Sequence, residues 1–436
     1  MMKKNRTIYF LLALVCLGLQ SCLFQEEDYF DDSSVNRATA DVKRCSELLE
    51  AAPNGWVMEY YVGKDYSLGG ITLLCKFDGQ RVTMASQIAG ADETVSSLYS
   101  VKSEQATMLS FDTYNYLVHY FGQPQGSMAD DPNGTLGGDY EFVISDATAD
   151  RIELKGKKYG NRIVMKAFSA DQTWKQYLTR IKKVEDDAFF YEYDLRMDGL
   201  YTGQMLRSNY TFIVTYYDEV GKVYQKTVPF MFTTDGMRFH EPVTIDGQTM
   251  QNFVWKNEEI SFVCTDEGAT GVKMKGIYID GYQSYDYYPG TYLMDFYRLN
   301  GATNQLEVAS QEIQLVKNED GKSYWLKGLE YDILVTYDKP RGGLSILPQF
   351  LKKVQGGYVY LAMWDLMNDY VLRSSAIGLI SYPTTDGIYL VDNGVWMGEI
   401  SGFIFGVYDS QDEEASFMGY TDAVAAIRLI KKTIEE

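Results

Sequence analysis

From Gly55 onward the chain alternates apolar and polar residues with a period of two, the mark of strands that turn one face to a core. The alternation predicts strands over 55–62, 71–77, 82–88, 97–102 and 107–111, then over 140–145, 151–157 and 162–168. Asp78-Gly79 supplies a tight hairpin turn between the second and third. Segment 114–121 interrupts the run with one or two helical turns. Eight short strands with tight connections predict an up-and-down barrel or a strongly coiled sheet. Two helices bracket this unit. Ala38, Val42, Cys45, Leu48, Leu49 and Ala52 form one apolar stripe over 35–52, stopped by Pro53-Asn54-Gly55. Trp174, Tyr177, Leu178 and Ile181 share a face of a second helix over about 171–184.

The remainder is again strand-like, over 188–195, 210–217, 223–232, 237–239, 252–255, 259–264 and 272–279. Further strands are expected at 292–299, 311–316, 323–326, 333–337, 344–346, 358–364, 387–391 and 403–408. Residues 423–430 have helical spacing and predict a short terminal helix. Thr233-Thr234-Asp235-Gly236 recurs as Thr384-Thr385-Asp386-Gly387 and reads as shared turn chemistry. The fold class is mainly β: antiparallel barrel-like or sandwich domains with a few short helices. The pattern divides the chain into 1–21, 22–34, 35–184, 185–284 and 285–436.

The first two segments read as targeting. Lys3-Lys4-Asn5-Arg6 precedes an apolar run from Ile8 to Leu19, too short to span a bilayer and right for a signal peptide. Leu19-Gln20-Ser21-Cys22 ends it as a lipobox, so Cys22 is expected to be diacylated and to become the N-terminus. The competing reading is an ordinary signal peptide that contains a cysteine. Two acyl chains hold a protein on a membrane far more firmly than one. Residues 22–34 include Gln25-Glu26-Glu27-Asp28, a solvated acidic tether whose position behind the lipidated cysteine resembles a surface-export signal.

Composition narrows the function. Hydrophobic residues are 46% and charged residues 23% of the 436, as in a globular protein long enough for two or three cores. Loss of Lys3, Lys4 and Arg6 with the signal takes the net charge from −20 to −23. An acidic chain without a basic run is a poor partner for nucleic acid or anionic lipid, so the membrane contact is expected through Cys22 alone. Cys45, Cys75 and Cys264 allow one disulfide but more often act as buried small hydrophobes. With only His119 and His240, multi-histidine zinc sites are disfavoured.

Candidate chemistry is sparse. Asp112 and His119 would support acid–base work if they met in a cleft; the alternative is a turn capped by Asp112 with His119 half-buried. With 60 acidic residues, some close carboxylate pair is inevitable, so a glycosidase-like pair carries little signal. Asp130-Asp131-Pro132-Asn133-Gly134 is oxygen-rich but lacks the ligand spacing of a calcium loop and reads as a turn. No phosphate-binding loop or dinucleotide fingerprint occurs. No catalytic residue, metal site or cofactor is therefore assigned. Tyrosine is abundant instead, with 36 residues. Tyr278, Tyr282, Tyr285, Tyr287 and Tyr288 cluster beside Gly281 and Pro289; Tyr282, Tyr285, Tyr287 and Tyr288 are the binding candidates, on a loop carrying rings toward solvent. The alternative is a seam between domains. Trp325, Trp364 and Trp396 face the same choice between core and surface.

Several motifs carry a family resemblance over about residues 22–184. They are Phe30-Asp31-Asp32-Ser33-Ser34, Pro53-Asn54-Gly55-Trp56-Val57-Met58-Glu59-Tyr60-Tyr61, Gly69-Gly70 and Lys76-Phe77-Asp78-Gly79. Ser97-Leu98-Tyr99-Ser100, 109–115, Gly137-Gly138-Asp139-Tyr140-Glu141-Phe142 and Leu154-Lys155-Gly156-Lys157-Lys158 continue them. Together they resemble the bacterial surface-lipoprotein family known as domain of unknown function 4302, departing from it around Asn36-Arg37-Ala38. The resemblance brings no activity. It implies an outer-membrane lipoprotein working beside TonB-dependent uptake components. The expectation is a surface-exposed protein with a binding or accessory role in nutrient acquisition and no catalysis. A carboxylate-dependent surface hydrolase of polysaccharide or peptide is the alternative, and a structural or adhesive lipoprotein a third.

Overall fold

The computed structural model describes residues 34–124, 134–217, 220–412 and 414–432. Cys22, nearly all of the acidic tether and Asp130–Asn133 lie outside the described residues.

The first eight strands, from Trp56–Val62 to Arg162–Ala167, pair in sequence order, and the last returns to the first with Trp56 opposite Ala167. The expected up-and-down barrel is therefore closed. Its interior follows the alternation: Trp56, Met58, Tyr60 and Val62 point inward with Leu73, Cys75 and Phe77. Helix α1 (Ser34–Ala51) joins this core through Cys45 and Leu49, and the Trp56 indole N–H donates to the Leu49 carbonyl at 2.8 Å. Helix α2 (Tyr116–His119) adds Leu117 and Val118. Asn115, not Asp112, caps it by accepting from Leu117 N at 3.1 Å.

Helix α3 (Trp174–Asp187) starts at Thr173 with a reciprocal cap to Gln176. One part of its apolar face sends Leu178 against Val57, Leu74 and Phe168 on the outside of the first barrel; Ile181 and Val184 enter the core of a second. That second barrel closes when Val272–Ile277 pairs with Glu192–Met197. Its core is phenylalanine-rich, with Phe212 stacked on Phe230 at 4.5 Å. Gly69 lets the two barrels touch: a Cβ there would lie 2.1 Å from the Tyr210 carbonyl oxygen.

The third sheet has twelve strands. Pairing of Gly290–Asn300 with Phe417–Lys431 closes eight of them into a ring, and the other four extend from Phe417–Lys431, beginning with strand Gly402–Tyr408.

The structure corrects several expected elements. Residues 423–430 belong to strand Phe417–Lys431, not to a helix. Ala426 takes a positive φ of 49° there, and this irregularity breaks the period of two into spacings that mimic a helix. Strand Leu200–Ser208 was not foreseen because a bulge follows Tyr201 and one of its two buried positions is Gly203. Strand Gln349–Val354 buries no residue fully, and Leu379–Thr384 contains Pro383, so neither announces itself as a strand. Cys45, Cys75 and Cys264 are all buried and free. Both Thr-Thr-Asp-Gly turns close hairpins in the same way: Thr233 and Thr384 each donate through Oγ1 to the aspartate two residues on, at 3.0 and 2.6 Å.

Candidate functional site: a groove between the second barrel and the third sheet

The signature residues of the first half are structural. Gly55 has a φ of 83° and lies where a Cβ would strike the Cys75 carbonyl oxygen, and the Trp174 indole donates to the Asn54 carbonyl at 3.0 Å. Asp139 is buried, accepting from the backbone N–H groups of Lys158 and Tyr159 at 2.8 and 3.0 Å. Burial raises its pKa, against those two donors. Tyr60 locks the same turn, its hydroxyl donating to the Asp139 carbonyl and accepting from the Asp139 N–H. Motifs far apart in sequence thus meet as fasteners of one barrel rather than as a reaction centre.

Asp112 and His119 do not form a pair. His119 Nδ1 sits 3.0 Å from the Asn115 carbonyl, and its ring stacks on Tyr140 at 4.7 Å. No metal-ligating cluster occurs among the described residues.

The tyrosine cluster divides. Tyr288 is fully buried and donates to the Gly342 carbonyl at 2.8 Å. Tyr285 stacks on Tyr324 at 4.7 Å and donates to the Ser323 carbonyl at 2.9 Å. These two rings close one end of the third core, so the expected solvent-facing loop is corrected for them: the open end of a ring of strands needs bulky filling, and Tyr324 and Tyr337 supply edges and faces to pack on. Tyr287 stays partly exposed beneath the Lys431 ammonium, 4.9 Å from its centroid. Tyr282 belongs to the seam, stacked with Phe189 at 6.0 Å and against Tyr278 at 4.4 Å. Of the tryptophans, Trp364 is buried, Trp325 is partly exposed, and Trp396 donates to Asp365 at 3.0 Å.

Beside that seam lies a groove. Ile279 and Gly281 come from the segment leaving the second barrel, Arg341 and Gly342 from the turn after strand Ile333–Asp338, and Tyr382 and Pro383 from strand Leu379–Thr384. They enclose about 620 Å³, with Tyr191 on the second-barrel side. Gly342, at a φ of 60°, allows the turn to lie against Tyr282, whose ring would meet a Cβ at 2.5 Å. Tyr191 and Tyr382 are 56% and 61% exposed, unusually open for rings in a concave site.

Tyr191 also lines an adjoining hollow of about 700 Å³ under the end of α3. Five cations reach it: Lys182, Lys183, Arg207, Lys322 and Lys339, against Glu185 and Asp186. Lys182 is held by the carbonyls of Gln87 and Ala89 at 2.8 Å, and Arg207 by those of Ala188 and Asn209. Lys339 pairs with Asp186 at 3.0 Å, over the Phe189 ring. Lys183 pairs with Asp187. Lys322 has no side-chain hydrogen bond among the described residues. In the first hollow Asp338 pairs with Arg341 at 3.5 Å. The groove thus offers exposed rings, carboxylates, a guanidinium and ammonium groups, which suit recognition of a polar ligand.

Sequence reading missed Tyr191 and Tyr382, since each stands apart from the tyrosine cluster and flanks or lies in a strand. Of its binding candidates, Tyr282 and Tyr288 reach the groove, and only from behind it: Tyr282 lies against Gly342, and the buried Tyr288 donates to the Gly342 carbonyl.

Comparison with known proteins gives the family without an activity. Residues 265–404 match a second domain of unknown function, DUF4987. No curated protein matches the chain. A solved protein of unknown function from the DUF3598 family of Nostoc punctiforme PCC 73102 is 7% identical, covering 57% of this chain and 99% of its own, with a TM-score of 0.15. The binding domain of botulinum neurotoxin serotype G is 10% identical over 74% of this chain and 71% of its own, with a TM-score of 0.10. The model of the domain of unknown function DUF4302 matches residues 26–257, more than half of the sequence that carries the fasteners described above, and the chain belongs to that family.

Proposed function

We propose that this protein is a lipid-anchored outer-membrane protein, exposed at the cell surface, that binds a ligand in the groove without transforming it and serves nutrient uptake beside TonB-dependent components. The observation that carries the binding role is the pair of open rings, Tyr191 and Tyr382, contributed to one groove by two different units of the fold. The lipobox at Cys22 and the acidic run behind it support the location. The competing hydrolase needs two carboxylates converging on a substrate. Of the four carboxylates lining the two hollows, Asp338 and Asp186 are instead paired with Arg341 and Lys339. Glu185 accepts from the Tyr210 hydroxyl at 2.8 Å, which among the described residues leaves Asp280 alone.

Replacing Tyr191 and Tyr382 together by alanine is expected to weaken ligand binding by about 1–3 kcal/mol, as truncation of aromatic anchors does. Exposed substitutions usually cost within about 0.5 kcal/mol of stability, so folding should persist. Binding assays over panels of polysaccharides and peptides, with product analysis, check both points. A hydrolase would release new chain ends; the binding role predicts retention with none.

Cys22→Ala should leave the protein in the periplasm or as precursor, since the proposed contact with the membrane is through the acyl chains. An acylated, membrane-bound variant would refute the lipobox. Neutralising Glu26, Glu27 and Asp28 should preserve acylation but lower cleavage by external protease in intact cells, and unchanged cleavage would reduce the run to a spacer.

A further inference from the structure

The two hollows meet at Tyr191, and each falls within the roughly 300–1,000 Å³ that holds a drug-sized ligand. Because both are lined by Tyr191, a chain-like ligand could occupy the two at once across that ring. Strand Leu379–Thr384 is already paired on both sides at Ile380, and Pro383 has no N–H. Tyr382 and Pro383 pair only with Tyr389 and Ile388, and because Pro383 cannot donate to an added strand, the short edge they leave is a poor template for a peptide.

The groove's side chains match a sugar instead. A pyranose ring presents a flat face of C–H groups that packs on a tyrosine ring, and a rim of hydroxyls that donate to carboxylates and accept from a guanidinium. Tyr191 and Tyr382 supply the faces, and Asp280, Asp338 and Arg341 the polar rim. The other hollow changes the required charge. Among the described residues Lys182 and Lys322 form no ion pair there and Arg207 only a long one, 3.9 Å from Glu185, in a molecule whose formal net charge is −20. At physiological salt, screening confines fields to about 8 Å, so the local cations act on a bound ligand more than the distant acidic surface does.

We propose that the groove takes an acidic oligosaccharide, its sugar faces on Tyr191 and Tyr382 and its carboxylate or sulfate groups toward Lys182, Arg207 and Lys322. This rests on the binding role proposed above and specifies its ligand class.

The test compares three probes on the purified mature protein: polygalacturonate, neutral dextran and polyglutamate. Polygalacturonate is expected to bind, more weakly as salt rises. Tyr191→Ala and Lys322→Glu are each expected to weaken it about tenfold, with melting temperatures unchanged. Dextran bound as tightly as polygalacturonate would overturn the acidic requirement. Polyglutamate bound as tightly would overturn the sugar requirement. No binding of polygalacturonate would overturn the ligand class, yet leave the binding role standing if another ligand depends on Tyr191 and Tyr382. Loss of dependence on those two rings for every ligand would remove the binding role itself.

Discussion

Glu59→Ala is expected to cost about 3 kcal/mol of stability, because it strands two cations at the junction of the barrels. The Glu59 carboxylate is mostly buried, accepting from Lys166 at 2.8 Å within the first barrel and from Arg238 of the second. Burial alone would push this carboxyl up; the Arg238 guanidinium and the Lys166 ammonium outweigh it and hold its pKa below the usual range. A carboxyl with a depressed folded pKa stabilises the fold above its unfolded pKa. That contribution fades as pH falls from the ordinary glutamate value toward the depressed one. Chemical denaturation should therefore show a pH slope in the wild type over that range, reduced in Glu59→Gln. Arg238→Met in the Glu59→Ala background should restore part of the loss, since it removes the stranded charge. A Glu59→Ala protein within about 0.5 kcal/mol of wild type would show that the ion cluster does not hold the barrels together.

Trp56→Ala should cost about 3–5 kcal/mol, the usual range for emptying a buried tryptophan site. Its indole is fully buried in the first core, and its N–H is the bond to α1 at Leu49. Beyond the cavity, α1 should detach and become the first site of proteolysis. Trp56→Phe keeps much of the ring and loses the bond, so it should cost less, about 1–2 kcal/mol. Thermal unfolding with limited proteolysis separates the two contributions. An alanine variant that melts like wild type would contradict the role given to this residue.

The first barrel was legible because its inward residues are large and strictly alternate, as Trp56, Met58, Tyr60 and Val62 do. Where that signal fails, so does the reading. Gly203 occupies an inward position without an apolar side chain, and Ala426 breaks the alternation of the last strand. The groove was less legible still. It gathers Tyr191, Ile279, Arg341 and Tyr382 from segments up to nearly two hundred residues apart, and no local pattern links them. The tyrosine cluster drew attention by density, yet density served packing: Tyr285 and Tyr288 fill a core end, and Tyr282 braces the turn of Gly342.

Hydrogen exchange of the mature protein with and without bound polysaccharide tests the central claim most directly, because it reports where a ligand sits. The groove reading predicts added protection at 189–191, 279–281, 338–343 and 380–383, with the first barrel unchanged. Protection confined to the first barrel, or none at these four segments while ligand is bound, would contradict it.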